Sequence, residues 1–267
     1  VTTNIIIAGA MGKMGREIAA LVLSDPACAL AGCIETSSHP SIGRDYSSCS
    51  GLPSEGVVLS GTPDGLPLDG SVVVDFTSPQ ATMTLLSAVE GADARFVVGT
   101  TGLSEEETSR IRAAARRLPI VLSPNMSLGV NLLFVLTELA AKKLGETFDI
   151  EIVEAHHRLK KDAPSGTARK LGEIAAAAIG VGYDEAVRNG RAGFPGERTR
   201  KEIGMHAVRG GDIVGDHTVL FAGMGERLEL RHVMHSRTTL ARGAVAAAKW
   251  VASRGPGLYS MRDILGL

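Results

Sequence analysis

The chain has 267 residues, 44% hydrophobic and 21% charged, with 28 basic against 29 acidic side chains and a formal net charge of −1. That is an ordinary globular balance for one to two domains, enough chain to bury its cores without disulfides or structural metal. Near-zero charge with only six Phe, three Tyr and one Trp argues against a nucleic-acid platform, which needs a basic groove and stacking rings. Glycine is in excess at 32 positions; no Gly-X-Y repeat accounts for it, so the surplus serves turns and close backbone approaches.

Cys28, Cys33 and Cys49 are odd in number and form no CxxC, which reads as free thiols of a reducing compartment. The start Val1-Thr2-Thr3-Asn4 has no basic segment ahead of Ile5-Ile6-Ile7, so it does not read as a signal peptide, and a cytoplasmic location is expected. In chain order, Asn4–Ala8 reads as a buried strand, Lys13–Ser24 as a helix and Ala29–Ile34 as a second strand. A Ser-, Pro- and Gly-rich insertion from Thr36 to Pro67 has room for one short strand at Val57–Leu59. Strands at Val72–Phe76, Arg95–Gly99 and Ile120–Ser123 then alternate with helices at about Pro79–Glu90 and Ser104–Arg117. Apolar strands separated by helices predict a doubly wound parallel sheet covered on both faces.

The uncharged stretch Leu118–Thr137 is long enough to cross a bilayer, but Pro119, Pro124, Asn125, Ser127, Gly129 and Asn131 interrupt it, and no membrane association is expected. Beyond Pro124 the pattern changes. A helix at about Gly129–Leu144 leads to a strand at Phe148–His156, a polar loop and a helix near Thr167–Ile179. Ile203–Val208, His217–Phe221 and Arg227–Met234 follow without intervening helices, which predicts a mainly antiparallel sheet in a smaller α+β domain. A helix at about Leu240–Ser253 resumes the first style. The expected domains are 1–127, completed by 237–267, and 128–236.

Gly9-Ala10-Met11-Gly12-Lys13-Met14-Gly15 lies between the first strand and the first helix. Such a spacing arises by composition alone about 0.4 times in a chain like this, so its context carries the signal. It opens a helix, where free N–H groups and the helix dipole favour a pyrophosphate and glycine lets the backbone approach it. Glu35 ends the second strand 20 residues past Gly15, where an acidic side chain can accept from a ribose 2′-hydroxyl. Ligands of such sheets lie beyond the carboxyl ends of the strands, here Asp75-Phe76-Thr77, Gly99-Thr100-Thr101-Gly102 and Ser123-Pro124-Asn125-Met126; taken singly, each is as compatible with a plain turn.

The segment Glu154-Ala155-His156-His157-Arg158-Leu159-Lys160-Lys161-Asp162-Ala163-Pro164-Ser165-Gly166-Thr167-Ala168 is the most unusual. A solvated charged loop is one reading. The other starts from the four-residue spacing of His156 and Lys160, which puts them on one side in a strand or a helix. Ser165 then caps a helix whose exposed N–H groups suit a carboxylate or phosphate, so the segment would hold a small polyanion. His156 and His157, adjacent in a strand, point to opposite faces, and the pair His232 and His235 lacks a third ligand, so no metal site is expected.

With these residues in view, the chain resembles the 4-hydroxy-tetrahydrodipicolinate reductase family, also called dihydrodipicolinate reductase. Glu154–Ala168 is similar to the family pattern E-x-H-x-x-x-K-x-D-x-P-S-G-T-A. Gly9–Gly15, Asp75–Ser78, Gly99–Gly102, Ser123–Ser127, Gly129-Val130-Asn131, Arg209–Gly215 and Ser236-Arg237 fall in the expected order along nearly the whole chain. The resemblance implies a Rossmann-type domain and reduction of a small cyclic dicarboxylate by NADH or NADPH, with net loss of water, in lysine and diaminopimelate biosynthesis. It implies a homotetramer, His156 and Lys160 as proton donors, and His157, Ser165, Gly166 and Thr167 as substrate contacts. Gly9, Ala10, Met11, Gly12, Lys13, Met14, Glu35, Gly99, Thr100, Thr101, Ser123, Pro124, Asn125 and Met126 would hold the cofactor, with Arg237 near the nicotinamide. Two departures stand out: Thr36 where many relatives carry Arg beside the ribose-binding Glu, and Met126 where Phe is frequent. The first predicts that NADH serves at least as well as NADPH. Two other classes fit the residues alone: another dehydrogenase sharing only the nucleotide half, which would turn over amino or 2-oxo acids, and a nucleotide sensor, which would bind NADH without oxidising it.

Overall fold

The structure is a computed structural model that describes residues 2–54, 56–145 and 147–267. Val1, with which the N-terminal reading begins, lies outside the described residues. The elements run β1 (Thr3–Ala8), α1 (Lys13–Ser24), β2 (Cys28–Ile34), α2 (Tyr46–Ser50), β3 (Leu59–Ser60), β4 (Val72–Asp75), α3 (Pro79–Glu90), β5 (Arg95–Val98), α4 (Glu105–Ala114) and β6 (Pro119–Leu122). Then come α5 (Leu128–Leu144), β7 (Asp149–His156), α6 (Gly166–Ala178), α7 (Tyr183–Ala186), β8 (Val187–Asn189), β9 (Ile203–Arg209), β10 (Gly215–Ala222) and β11 (Arg227–Met234). The chain ends with α8 (Thr238–Val251), β12 (Gly257–Tyr259) and α9 (Met261–Ile264). Among the described residues no helix is long and apolar enough to cross a membrane.

The chain divides into two compact units, Val1–Leu128 with Thr238–Leu267, and Gly129–Arg237. The first holds a seven-stranded sheet in the order β12-β6-β5-β4-β1-β2-β3, parallel at every pairing. Its strands bury both faces: Ile5, Ile7, Val72, Val74, Val97 and Val121 join the core that includes α1 and α8, and Ile6, Val73, Phe96, Val98 and Ile120 join the core under α3 and α4. This is why those strands read as continuous apolar runs rather than alternating ones. Side chains cap the starts of α3 and α4: Ser78 Oγ accepts from the Ala81 N–H ahead of Pro79, and Ser104 with Glu107 forms a capping box. The insertion holds α2, which the sequence pattern did not announce, and its short strand falls at Leu59–Ser60 rather than Val57–Leu59.

The second unit has a five-stranded mixed sheet in the order β11-β10-β7-β9-β8. β10 is antiparallel to β11 and to β7, while β7–β9 and β8–β9 are parallel. The three strands β9, β10 and β11 are thus not a simple meander, because β7 lies between β9 and β10. The path from β7 to β9 runs through α6, a helical crossover of the kind that joins parallel neighbours. Leu171, Ala175 and Ala176 of α6 pack on Ile150, Ile152, Val219 and Phe221.

On the other face of β7, Glu151 accepts from Arg191 (2.8 and 2.9 Å), Arg198 Nε (2.9 Å) and His206 Nε2 (2.8 Å), tying the 190–202 segment to the sheet. Burial pushes this carboxyl up, but Arg191, His206 and Arg198 outweigh it and hold it down to about 2 against an ordinary 4.5. Its contribution to stability is therefore complete above the unfolded value and is lost as pH falls through the folded one. Glu151→Gln is expected to lower the urea midpoint at neutral pH and to flatten its decline toward about pH 3; a decline as steep as that of the parent protein would rule this out.

Candidate active site

In the first unit the glycine loop turns at Gly9, whose φ of +71° requires glycine. A Cβ on Gly15 would overlap the Gly9 carbonyl oxygen, so α1 starts tight against the end of β1. Gly12 caps α1 without any side-chain hydrogen bond, leaving the first-turn N–H groups at Lys13 and Met14 without a side-chain cap. Glu35 folds back on this loop: its Oε2 accepts from the Met11 N–H and its Oε1 from the Thr36 N–H, both at 3.0 Å. The Ala10 carbonyl accepts from the buried Tyr46 hydroxyl at 2.8 Å, a contact from α2 that the sequence reading missed. The cradle is one into which a pyrophosphate and a ribose fit.

The strand ends meet around Asp75. This carboxylate is fully buried and accepts from Thr82 Oγ1 (2.5 Å), Thr77 Oγ1 (2.5 Å), the Thr77 N–H (3.0 Å) and Thr100 Oγ1 (3.1 Å). Burial raises its pKa, and the hydroxyls only moderate the rise. A Cβ on Gly99 would overlap the Phe76 ring. Ser123 Oγ donates to the Asn125 carbonyl at 2.8 Å, and Asn125 Oδ1 accepts from the Ser127 N–H at 2.9 Å. Met14, Gly99, Thr100, Thr101, Pro124 and Met126 line one open pocket, together with Phe76, Thr77 and Leu240. The pocket thus brings together six of the residues expected to hold the cofactor, and Gly9–Lys13, Glu35, Ser123 and Asn125 lie outside its lining. Arg237, the last residue of the second unit, is exposed.

In the second unit the key group is Glu154, fully buried near the end of β7. Its Oε2 accepts from His156 Nδ1 at 2.6 Å and from Arg209 at 2.8 Å, and its Oε1 from Arg209 at 2.8 Å and the Ser165 N–H at 3.0 Å. Burial pushes the Glu154 carboxyl up, but Arg209, His156 and the Ser165 N–H together bring it below the usual range. Arg209 also donates to the Asp162 carbonyl at 2.6 Å. Lys160 pairs with the Asp162 carboxylate at 2.8 Å. Ser165 Oγ accepts from the Ala168 N–H at 3.2 Å to cap α6 and shares a 3.0 Å hydrogen bond with His217 Nε2.

His217 is itself buried, directly opposite Glu154 in the β10–β7 register, with its ring edge to face with His156 at 5.2 Å. Burial and the neighbouring His156 push its pKa down to about 4, so it is neutral at ordinary pH. Arg158 and Lys161 are exposed, whereas His156, His157 and Lys160 are partly buried. His157 Nδ1 is buried and has no protein partner, Gly166 opens α6 toward solvent, and Thr167 is partly buried behind it. Among the described residues, no group of three or more His, Cys, Asp or Glu is placed to hold a metal ion.

Comparison with known proteins shows the family. The profile of dihydrodipicolinate reductase, N-terminus, matches residues 3–126, and that of dihydrodipicolinate reductase, C-terminus, matches residues 129–265. The chain is 48% identical over 266 residues to 4-hydroxy-tetrahydrodipicolinate reductase of Thiobacillus denitrificans (strain ATCC 25259 / T1), covering 100% of this chain and 99% of that protein. It is 46% identical over 261 residues to the enzyme of the same name from Syntrophus aciditrophicus (strain SB), covering 98% and 97%. Among solved structures, dipicolinate-bound dihydrodipicolinate reductase from Paenisporosarcina sp. TG-14 has a TM-score of 0.78 at 26% identity, covering 97% of this chain and 98% of that one. An amine dehydrogenase from Mycobacterium smegmatis, at TM-score 0.61 and 14% identity over 98% of this chain and 95% of its own, shares the fold alone. The chain belongs to the dihydrodipicolinate reductase family.

Proposed function

We propose that the chain reduces 4-hydroxy-tetrahydrodipicolinate to tetrahydrodipicolinate with NADH or NADPH, in the route to diaminopimelate and lysine. The observation that carries this reading is the Glu154 cluster at the end of β7, which joins His156 to the helix start at Ser165 and, through Arg209 and the Asp162 carbonyl, to the loop that carries Lys160. When bound, the dihydronicotinamide supplies a hydride; the net reaction also takes up one proton and releases water. His156 Nε2 and Lys160 Nζ are the groups that deliver the proton and neutralise developing charge. The α6 first-turn N–H groups, Thr167 and His157 hold the substrate carboxylates.

In the first unit, the loop Gly9–Met14 and the start of α1 take the pyrophosphate, and Thr100, Thr101, Ser123, Pro124, Asn125 and Met126 surround the nicotinamide end. Glu35 accepts from the adenosine ribose. Its carboxylate is fixed by two N–H groups and would repel a 2′-phosphate, while Thr36 offers no guanidinium to receive one. The Arg16 guanidinium is engaged by the Met11, Cys49 and Ser50 carbonyls.

Assembly follows from the second sheet. Its face away from α6 carries, beside the Glu151 ion-pair cluster and the Asp216–Arg231 pair, Val153 and Leu220 only half-buried and Val208 and Val233 exposed, apolar side chains that copies of the chain can cover by symmetry in a homotetramer. The three free cysteines suit a reducing, cytoplasmic setting.

Three outcomes are expected. With the aldol product of pyruvate and aspartate semialdehyde as substrate, His156→Gln and Lys160→Ala each lower kcat by ~10²–10⁴-fold with little change in NADH affinity; near-normal kcat in both variants would contradict the assignment. Comparing cofactors, kcat/KM for NADH equals or exceeds that for NADPH, and a preference for NADPH of ~10-fold, or about 1.4 kcal/mol, would overturn the role of Glu35. Light scattering at micromolar concentration gives a tetramer that Leu220→Glu dissociates; a monomeric parent protein would refute the covered face.

A further inference from the structure

We infer that Glu154 is a positioning residue for the reaction: it acts through His156, fixing which ring nitrogen faces the substrate, and Arg209 holds it in place. The inference rests on the reading of His156 as the proton-transfer group and adds a residue to it.

A carboxylate with no exposed surface must find a donor for each lone pair or lose heavily in solvation. Glu154 finds four, two on each oxygen, from β7, β9 and the start of α6. Arg209 contributes two of them in the forked geometry that guanidinium and carboxylate share. The carboxylate therefore cannot shift toward another partner. Being ionised, it can only accept, so His156 Nδ1 must carry the hydrogen of their 2.6 Å bond. Nε2 is left as the nitrogen that gains and loses the transferable proton. Space beside that nitrogen is preserved by Gly215, where a Cβ would lie 3.1 Å from Nε2.

Among the described residues, Glu154 supplies the one side-chain hydrogen bond to the His156 ring. His217, edge to face with that ring, is hydrogen-bonded through Nε2 to Ser165 instead, and its buried Nδ1 has no partner. A His156 carrying its hydrogen on Nε2 in the neutral state could not take up the next proton there. Arg209 reaches further, since its bond to the Asp162 carbonyl anchors the loop that carries Lys160. One guanidinium thus locates the orienting group of one proton donor and the backbone beside the other.

A purely structural role for Glu154, tying β7, β9 and α6 together, makes different predictions. The test is a double-mutant cycle with a spectroscopic arm. Glu154→Gln is expected to lower kcat by ~10-fold or more, as when the group orienting a catalytic histidine is replaced by its amide, with KM and NADH affinity within about threefold. In the His156→Gln background, Glu154→Gln should cause no additional loss of kcat, because its effect passes through the missing imidazole. A multiplicative further loss there, or near-parental kcat in Glu154→Gln alone, overturns the inference. Parental kcat in His156→Gln overturns instead the proton-transfer reading on which it rests, so the two failures are distinct. The third measurement needs no variant: ¹⁵N spectra of the histidine-labelled parent protein should show neutral His156 with its hydrogen on Nδ1, and the Nε2–H form would refute the inference even if Glu154→Gln failed to fold.

Discussion

A buried carboxylate with no route to water is the constraint on which the second unit turns. Glu154 sits in a strand, where side chains two apart share a face, so His156 is within reach along β7 itself. The remaining donors must come from elsewhere. Arg209 comes from the end of β9, paired to β7 in parallel register with His156 opposite Arg209, and the Ser165 N–H from the turn into α6. The charge of one side chain is thus satisfied only with β9 beside β7 and the start of α6 brought to the end of that strand. It also divides the basic loop that follows. Arg158 and Lys161 stay in solvent, while His156 is oriented by the carboxylate and Lys160 is held near Asp162, whose carbonyl Arg209 grips.

The first unit solves a similar problem with different donors, and the contrast is instructive. Asp75 is as buried as Glu154 but meets three threonine hydroxyls and one N–H, with no cation. Hydroxyl dipoles stabilise a carboxylate less than a guanidinium does, so burial prevails at Asp75 and its pKa rises. At Glu154 the cation prevails and the pKa falls. The structural effect is alike in both: Asp75 fixes Thr77 and Thr100 at the strand ends, as Glu154 holds His156 at the end of β7. Each carboxylate is buried behind a residue proposed to meet ligand, Thr100 in the first unit and His156 in the second.

What the sequence disclosed follows from the range of the interactions involved. The helix Lys13–Ser24 and the strands around it were legible because a glycine turn, a period of 3.6 and runs of Val and Ile are local signals. The helix Gly166–Ala178 was announced by Ser165, since a cap acts within four residues. The place of β7 between β9 and β10 was not legible, because strand adjacency depends on a crossover that segment order alone does not reveal. Tyr46 also escaped notice: its hydroxyl reaches the Ala10 carbonyl 36 residues away, from a stretch whose Ser and Gly content suggested only loop. Glu154 was part of the recognised pattern, yet its partner Arg209 is 55 residues distant. A charge 55 residues away leaves no periodic trace.

The glycines separate what the fold demands from what a ligand would demand. At Gly15 and Gly99 a Cβ would strike the Gly9 carbonyl and the Phe76 ring, so the packing of the first unit is reason enough for both. Gly166 differs. A Cβ there would meet nothing within 4 Å, and its backbone has no positive φ. As the first residue of α6 it gains nothing in helix propensity by being glycine. Neither sterics nor local conformation therefore accounts for the absent side chain. What remains is access to the α6 amides, which stand just beyond the Ser165 cap with their dipole directed outward. That asymmetry supports a carboxylate approaching this helix end, which Glu154 joins to the His156 imidazole by accepting from both Ser165 N–H and His156 Nδ1.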